Sequence, residues 1–399
     1  MENFSLYIHI PFCYHKCPYC DFNTYAVSSI PEKEYVQALL SEIDYMSTRE
    51  DWRGRQLNTI FFGGGTPSLF SASSIQKIIA TVARIFPLSA DTEVSLEANP
   101  GTTSSENLMG YREAGVNRLS FGAQSFKIET LKKLGRMHTP DQTVSSVEAA
   151  RVAGYNNINL DLIYGIEGQT LSDLLNDLKT ALELNPEHIS AYGLTIEKGT
   201  PFFQKYKKGL MKLPEEGLVL EMMEVIKATL ENNEFSHYEI SNYCKAGREA
   251  RHNLAYWNGD DYLGIGAGAH SFCLDRSSPS GLQGKRWSNY ALPDKYIKTA
   301  SSSGNTSSWT DTVNLENLFF EFFFLGLRKI AGVSKADFRR KFNFSVDELY
   351  PVTLQMLSEQ GLIINETDNI RLSENGIFLA DSVVESFVEV DHKISAAVG

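Results

Sequence analysis

The chain has 399 residues, 42% hydrophobic and 22% charged, with 37 Lys+Arg against 49 Asp+Glu and a formal net charge of -12. At about 150 residues per domain this makes two or three domains, long enough to bury a core without disulfide staples. Such a charge balance repels phosphate backbones and anionic lipid, which argues against nucleic-acid and polybasic membrane roles.

The opening residues, Met1-Glu2-Asn3-Phe4, lack the basic region and cleavage site of a secretory signal. No stretch reaches the roughly 18 uninterrupted apolar residues of a membrane span. Of five cysteines, three crowd into positions 13 to 20, whereas a disulfide framework spreads an even set along the chain. The expectation is a soluble, cytoplasmic protein in a reducing compartment whose cysteines serve a metal.

Along the chain, short apolar strands are expected at 4–10, 57–62, 92–98, 117–122, 157–163 and 188–194. Helix-period segments fall between them at about 32–48, 73–85, 105–114, 127–153 (broken near Pro140) and 171–184. Alternation of this kind requires parallel pairing with right-handed crossovers. A doubly wound sheet and an incomplete barrel both accommodate it. Beyond about 200 the alternation dissolves into a helix at 214–232, a strand-like 235–241, a glycine-rich run from Gly264 to His270 and a Ser/Gly/Pro-rich loop or linker at 276–310. The last part, 311–399, is expected to be helical with a small hairpin at 362–372; with 8 basic and 14 acidic residues it does not suit DNA. The domain division is therefore a core at 1–236, an accessory segment at 237–310 and a helical C-terminal domain at 311–399.

The strand ends carry the chemistry. After the six strands come, in turn, the cysteines, Gly63-Gly64-Gly65-Thr66-Pro67, Glu97-Ala98-Asn99-Pro100, Gln124-Ser125, Asp161 (within the strand) and Thr195-Ile196-Glu197. Loops at the C-terminal ends of parallel barrel strands converge on one mouth, so these groups describe one pocket. The motif Cys13-Tyr14-His15-Lys16-Cys17-Pro18-Tyr19-Cys20 sets three soft thiolates on one short loop, suited to an iron–sulfur cluster. Zinc is the alternative, with His9 or His15 as fourth ligand. Other residues have plainer readings: a glycine turn at 63–65, a solvated Arg136, a core Tyr7 and a structural His252 beside aromatics. The run Phe319–Phe324 reads as a buried aromatic helix face, and Cys244 and Cys273 as small core hydrophobes.

The C-x3-C-x2-C motif at the end of the first strand resembles the signature of the radical S-adenosylmethionine (SAM) superfamily. Over its whole length the chain is similar to the oxygen-independent coproporphyrinogen III dehydrogenase family, through LYIHIPFC at 6–13, GGGTP at 63–67, LEANP at 96–100, NRLSFGAQSF at 117–126 and NLDLIYG at 159–165. The resemblance implies an incomplete (β/α)6 barrel, with a 4Fe-4S cluster on Cys13, Cys17 and Cys20 and SAM on its open iron. By position, SAM contacts fall on Tyr7, Gly64, Gly65, Thr66, Glu97, Gln124, Arg136 and Asp161, and on Thr195 and His270, whose residue types differ from the dehydrogenase's. The dehydrogenase pattern has a further cysteine two places after the third; here Cys20 is followed by Asp21 and Phe22. That departure, the short N-terminus and His252-Asn253-Leu254-Ala255-Tyr256-Trp257 resemble the paralogous haem-chaperone branch. The branch implies haem bound near His252, haem-accepting apoproteins and an electron donor as partners, and no membrane role beyond transient contact with membrane-bound acceptors. Oxidative decarboxylation of coproporphyrinogen III is the alternative, weakened by the missing thiol; another radical SAM oxidoreductase is the third.

Overall fold

The first strand, β1 (Asn3–Ile10), is buried on both faces, Phe4, Leu6, Ile8 and Ile10 on one and Ser5, Tyr7 and His9 on the other. A strand buried in this way needs neighbours on both sides and cover above and below. The computed structural model, which describes residues 3–275 and 282–391, supplies them. β2 (Gln56–Gly64), β3 (Leu88–Ala98), β4 (Arg118–Gln124), β5 (Ile158–Tyr164) and β6 (His188–Gly193) follow β1 in order, every pair parallel. These are the six expected strands, each connected to the next through helix. The helices begin where side chains can hold their free N–H groups: Ser71, Ser104, Thr139 and Thr170 all cap. The stretch 127–153 is broken at Pro140 as expected: one helix, Ile128–Lys133, ends before it, and Pro140 opens the next, Pro140–Val152, where a missing N–H costs nothing.

Of the remaining strands, the one expected at 235–241 is present as Ser236–Glu239, and the others are additional. β7 (Ser236–Glu239) and β8 (Asn242–Cys244) close one edge, with β8 antiparallel to β6. β9 (Tyr262–Ile265) lies parallel to β1 on its other side, pairing Tyr7 with Gly264. β10 (His270–Asp275), β11 (Gln283–Asn289) and β12 (Ser307–Val313) extend that edge as antiparallel strands. One open twelve-stranded sheet results, in the order β12-β11-β10-β9-β1-β2-β3-β4-β5-β6-β8-β7.

The stretch expected as a loop at 276–310 is therefore corrected: it holds β11, the helix Pro293–Ser303 and the start of β12. Residues 276–281 of it lie outside the described residues. Its described serines lie at the exposed end of the helix, Ser301–Ser303, and on the edge strand, Ser307 and Ser308, most of whose side chains face water. One buried carboxylate binds this segment to the barrel. Glu42, on the helix Glu32–Ser47, accepts from Gly266 N–H (2.9 Å), Asn289 Nδ2 (2.6 Å), Tyr296 Oη (2.6 Å) and Thr306 Oγ1 (2.6 Å). Burial pushes its pKa up to about 7 against the pull of those donors.

The C-terminal part has its own core, with Phe319 and Phe323 fully buried and Phe324 facing water, so the aromatic run is a helix face as expected. A three-stranded sheet of Val333–Ser334, Asn369–Leu372 and Ile363–Asn365 includes the expected hairpin. Cys244 and Cys273 are buried. Among the described residues, no helix is long and apolar enough to cross a membrane.

Candidate functional site

The C-terminal ends of β1 to β6 open on one cavity of about 440 Å³. Its rim is the loop after β1. That loop is held by a two-residue parallel ladder pairing Phe12 with Tyr25 and Cys13 with Ala26. Within it, Lys16 Nζ donates to the carbonyls of Phe22 (3.0 Å) and Thr24 (3.2 Å). Cys13, Cys17 and Cys20 all line the cavity. Burial raises the thiol pKa of Cys13 and of Cys20. Three soft donors on one wall of a polar cavity fit an iron–sulfur cluster. His9 is not available as a fourth ligand. Its Nε2 meets the Asn23 carbonyl at 2.9 Å and so carries the proton, leaving Nδ1 to accept from Tyr7 Oη at 2.9 Å.

The glycine run serves the rim from beneath. Gly65 N–H donates to Ile10 O (2.8 Å) and Thr66 N–H to Phe12 O (2.9 Å). A Cβ on Gly65 would stand 2.7 Å from Phe12 O, and one on Gly64, at φ 112°, would stand 2.4 Å from the His9 ring. These glycines let β2 pass directly under the cysteine loop, a role beyond the ligand approach and the glycine turn that the sequence offers.

Two thiols are linked by side chains from two strand ends and from the loop after the helix Ile128–Lys133. Thr66 Oγ1 donates to Cys13 Sγ at 3.4 Å, and Asn99 Nδ2 donates to Thr66 Oγ1 at 2.9 Å. Arg136 donates through Nη2 to Asn99 Oδ1 and to Gly122 O (2.9 Å), and through Nη1 to Cys17 Sγ at 3.8 Å. Asn99 was present in the strand-end pattern, yet sequence reasoning gave it no role.

Two carboxylates line the cavity from β3 and β5, the two neighbours of β4. Burial, then the nearby Asp161 charge, pushes Glu97 up to about 7, opposed by Gly64 N–H at 3.0 Å. Burial also raises Asp161, opposed by Asn159 Nδ2 (2.8 Å) and Ser120 Oγ (3.1 Å). Asn159 continues to His188 Nδ1 (2.6 Å), whose Nε2 meets Tyr238 Oη (2.7 Å). His188, which had no companion in the sequence, is thus a cavity residue. Gln124 follows a register shift in β4 and takes φ 65°, a conformation that a non-glycine residue adopts at a cost and that turns its side chain to the cavity.

The structure thus brings together at the cavity wall Cys13, Cys17, Cys20, Gly64, Gly65, Thr66, Glu97, Gln124, Arg136, Asp161 and Thr195. Three expected residues stand apart from that wall. Tyr7 is stacked on Phe61 with centroids 6.1 Å apart. His270 is exposed at the start of β10. His252 is 1% exposed, with Nδ1 2.7 Å from Thr59 Oγ1 and Nε2 3.1 Å from Tyr256 Oη, its ring stacked on Phe61. Burial lowers its pKa to about 3. From the same short helix, Arg251–Trp257, Asn253 reaches the cavity floor.

Residues 7–181 match the family described as the radical SAM superfamily, and residues 313–379 match the HemN C-terminal domain. The chain is 41% identical to the heme chaperone HemW of Bacillus subtilis, covering 96% of this chain and 99% of that one. The Escherichia coli heme chaperone HemW is 36% identical over 96% and 98% of the two chains. Among solved structures, coproporphyrinogen III oxidase (HemN) from Escherichia coli superposes with a TM-score of 0.81 over 97% of this chain at 22% identity, a likeness of fold. With the whole length matched and the fold in agreement, the chain belongs to the HemW family of the radical SAM superfamily.

Proposed function

We propose that this protein is a haem chaperone of the cytoplasm: it binds haem and delivers it to apoprotein acceptors, with a 4Fe-4S cluster on Cys13, Cys17 and Cys20 and SAM in the adjoining cavity. The observation that carries the cluster assignment is the convergence of three thiols on the rim of a cavity whose floor holds Glu97 and Asp161. When bound, the cluster offers an open iron to SAM and one electron to its sulfonium. The chain's own residues set the conditions for this. Thr66 and Arg136 point donors at two of the sulfurs, which lowers the cost of negative charge there. Glu97, Asp161, Gln124, Arg136 and Thr195 face the space next to the cysteines, where they hold SAM, with Gly64, Gly65 and Thr66 beneath. Tyr7 acts from behind by orienting His9, and His270, exposed at the start of β10 and apart from the cavity wall, is assigned to SAM by resemblance alone.

Haem delivery, rather than decarboxylation, is supported by the full-length similarity to proteins named heme chaperones and by the loop after Cys20. Where the dehydrogenase pattern has a fourth thiol, Phe22 stands 65% exposed. His252 serves as iron ligand in this reading only once its Nε2 parts from Tyr256 Oη by a side-chain movement, since both residues stand on the one helix Arg251–Trp257. Anaerobic incubation with SAM, reductant and coproporphyrinogen III tests the assignment. The expected result is no protoporphyrinogen, together with haem transfer from the loaded protein to an apo-acceptor. Stoichiometric protoporphyrinogen would instead make the protein a decarboxylating enzyme.

A further inference from the structure

Haem that is passed to another protein must at some point lie where that protein can reach it. His252 offers no such position: its ring is enclosed, with Thr59 and Tyr256 at its two nitrogens. His15 does. It stands between Cys13 and Cys17 on the loop after β1, exposed to solvent and lining the mouth of the cavity. Its ring has no hydrogen-bond partner among the described residues. His15 Nε2 lies 3.6 Å from the place a Cβ on Gly135 would take, an edge of the ring that glycine leaves clear.

The rim about this imidazole is apolar and open to water. Tyr14, next to it in the chain, is 64% exposed, and Phe22 lines the same cavity. Met137 is 80% exposed on the loop at 135–138. That loop packs on the cysteine loop: Cys17 Sγ lies 4.0 Å from Gly135 O and 3.8 Å from Arg136 Nη1. Large apolar side chains left in water on two touching loops mark a binding face. Met137 also carries a thioether, a donor that haem iron accepts alongside imidazole.

We propose that this rim is an outer haem site, with the iron on the His15 imidazole and the apolar porphyrin against Phe22 and Met137, from which haem is handed to an acceptor. The proposal rests on the haem-chaperone reading above and adds to it a second position, distinct from His252. The relatives named heme chaperones supply the identity of the cargo. The unbonded imidazole selects that cargo over a second copy of the chain or a bare protein surface, since neither gains from a metal donor in the contact. Size points the same way: the rim presents three large apolar side chains, where a stable protein interface takes about 20–30 residues a side. In the step, the imidazole lone pair forms one Fe–N bond and a water leaves the iron; no electron is transferred.

The test follows haem uptake by the cluster-loaded protein in stopped flow at the Soret band, comparing wild type with His15→Ala, Met137→Ser and His252→Ala. The expected result is a fast phase linear in haem that is about tenfold slower in His15→Ala, partly slowed in Met137→Ser and intact in His252→Ala. Iron content and the SAM-sensitive electron paramagnetic resonance signal should be unchanged in His15→Ala. A fast phase that His15→Ala leaves as it is would overturn the proposal. Should His15→Ala lose iron, Met137→Ser decides: a slowed fast phase upholds the site, and a normal one makes His15 a residue of the cluster and overturns it. A wild-type dimer that both rim variants dissolve, with haem uptake unchanged, would also overturn it and make the rim an interface between copies of the chain. A wild type that takes up no haem at all would instead overturn the haem-chaperone reading, and the outer site with it.

Discussion

Asn99 and Arg136 share a hydrogen bond that completes a line of contacts between two thiols: Cys13 Sγ, Thr66, Asn99, Arg136, Cys17 Sγ. Asn99 is the only member of that line that both donates and accepts within it through a rigid amide, so it fixes the distance between the other two. In Asn99→Ala the part-buried guanidinium loses an acceptor and Thr66 loses a donor. Hydrogen bonds to charged groups contribute about 1.5–3 kcal/mol, and the metal-free chain is expected to lose that order of stability in urea unfolding. Asn99→Asp keeps an acceptor for Arg136 but not the donor to Thr66, so a smaller loss is expected. Identical unfolding midpoints for Asn99→Ala and wild type would show the line to be incidental.

Glu97 makes stability depend on pH. Its pKa is about 7 in the folded chain against an ordinary 4.5, so the folded chain keeps a proton between these values that the unfolded chain has released. The group's stabilising contribution is full below the lower value and is lost as pH rises through the upper one. Glu97→Gln is neutral throughout. At pH 8 it should stabilise the metal-free protein by on the order of 1–3 kcal/mol, with little change near the unfolded pKa. Glu42 and Glu239, also pushed up to about 7 by burial, keep their own share of the pH dependence. The same variant should bind SAM more weakly at pH 8, measured by calorimetry on the loaded protein. A variant that is no more stable at pH 8 than wild type would contradict the burial argument.

His252 behaves in the opposite sense. Its pKa is about 3 when folded and near 6.5 when free, so its contribution is present above 6.5 and is lost as pH falls toward 3. His252→Ala leaves the Thr59 and Tyr256 hydroxyls unpaired and opens a void beside Phe61. A loss of about 2–4 kcal/mol is expected in denaturant unfolding.

Haem binding gives a second, separate readout of that residue. Because the ring must leave Tyr256 before it can meet iron, haem uptake in the wild type should show a phase whose rate does not rise with haem concentration. Stopped-flow absorbance at the Soret band measures it. A single phase linear in haem, with the same spectrum in His252→Ala, would place the iron on another ligand.

The sequence made the βα alternation legible because the parallel strands are buried on both faces and four of the helices between them start at a capping Ser or Thr. The cysteine spacing and the polar strand ends showed the site. What it hid was long-range. β9 joins β1 through a pairing such as Tyr7 with Gly264, and no periodicity reports a partner so far along the chain. Ser307–Val313 looks like a linker because an edge strand can be polar. Asn99 and His188 were invisible as site residues for another reason: only the barrel's curvature turns both toward the same cavity. His252 shows the converse, a motif residue whose surroundings in the fold occupy both of its nitrogens.

The claim on which the account turns is the ligand set. Anaerobically purified protein, given ferrous iron and sulfide, should take up about four irons per chain and, once reduced, show the electron paramagnetic resonance signal of a 4Fe-4S cluster that shifts when SAM is added. Serine at Cys13, Cys17 or Cys20 should abolish that signal, while serine at Cys244 should leave it intact. A wild type that took up no iron, or three single serine variants that kept the SAM-sensitive signal, would contradict the assignment.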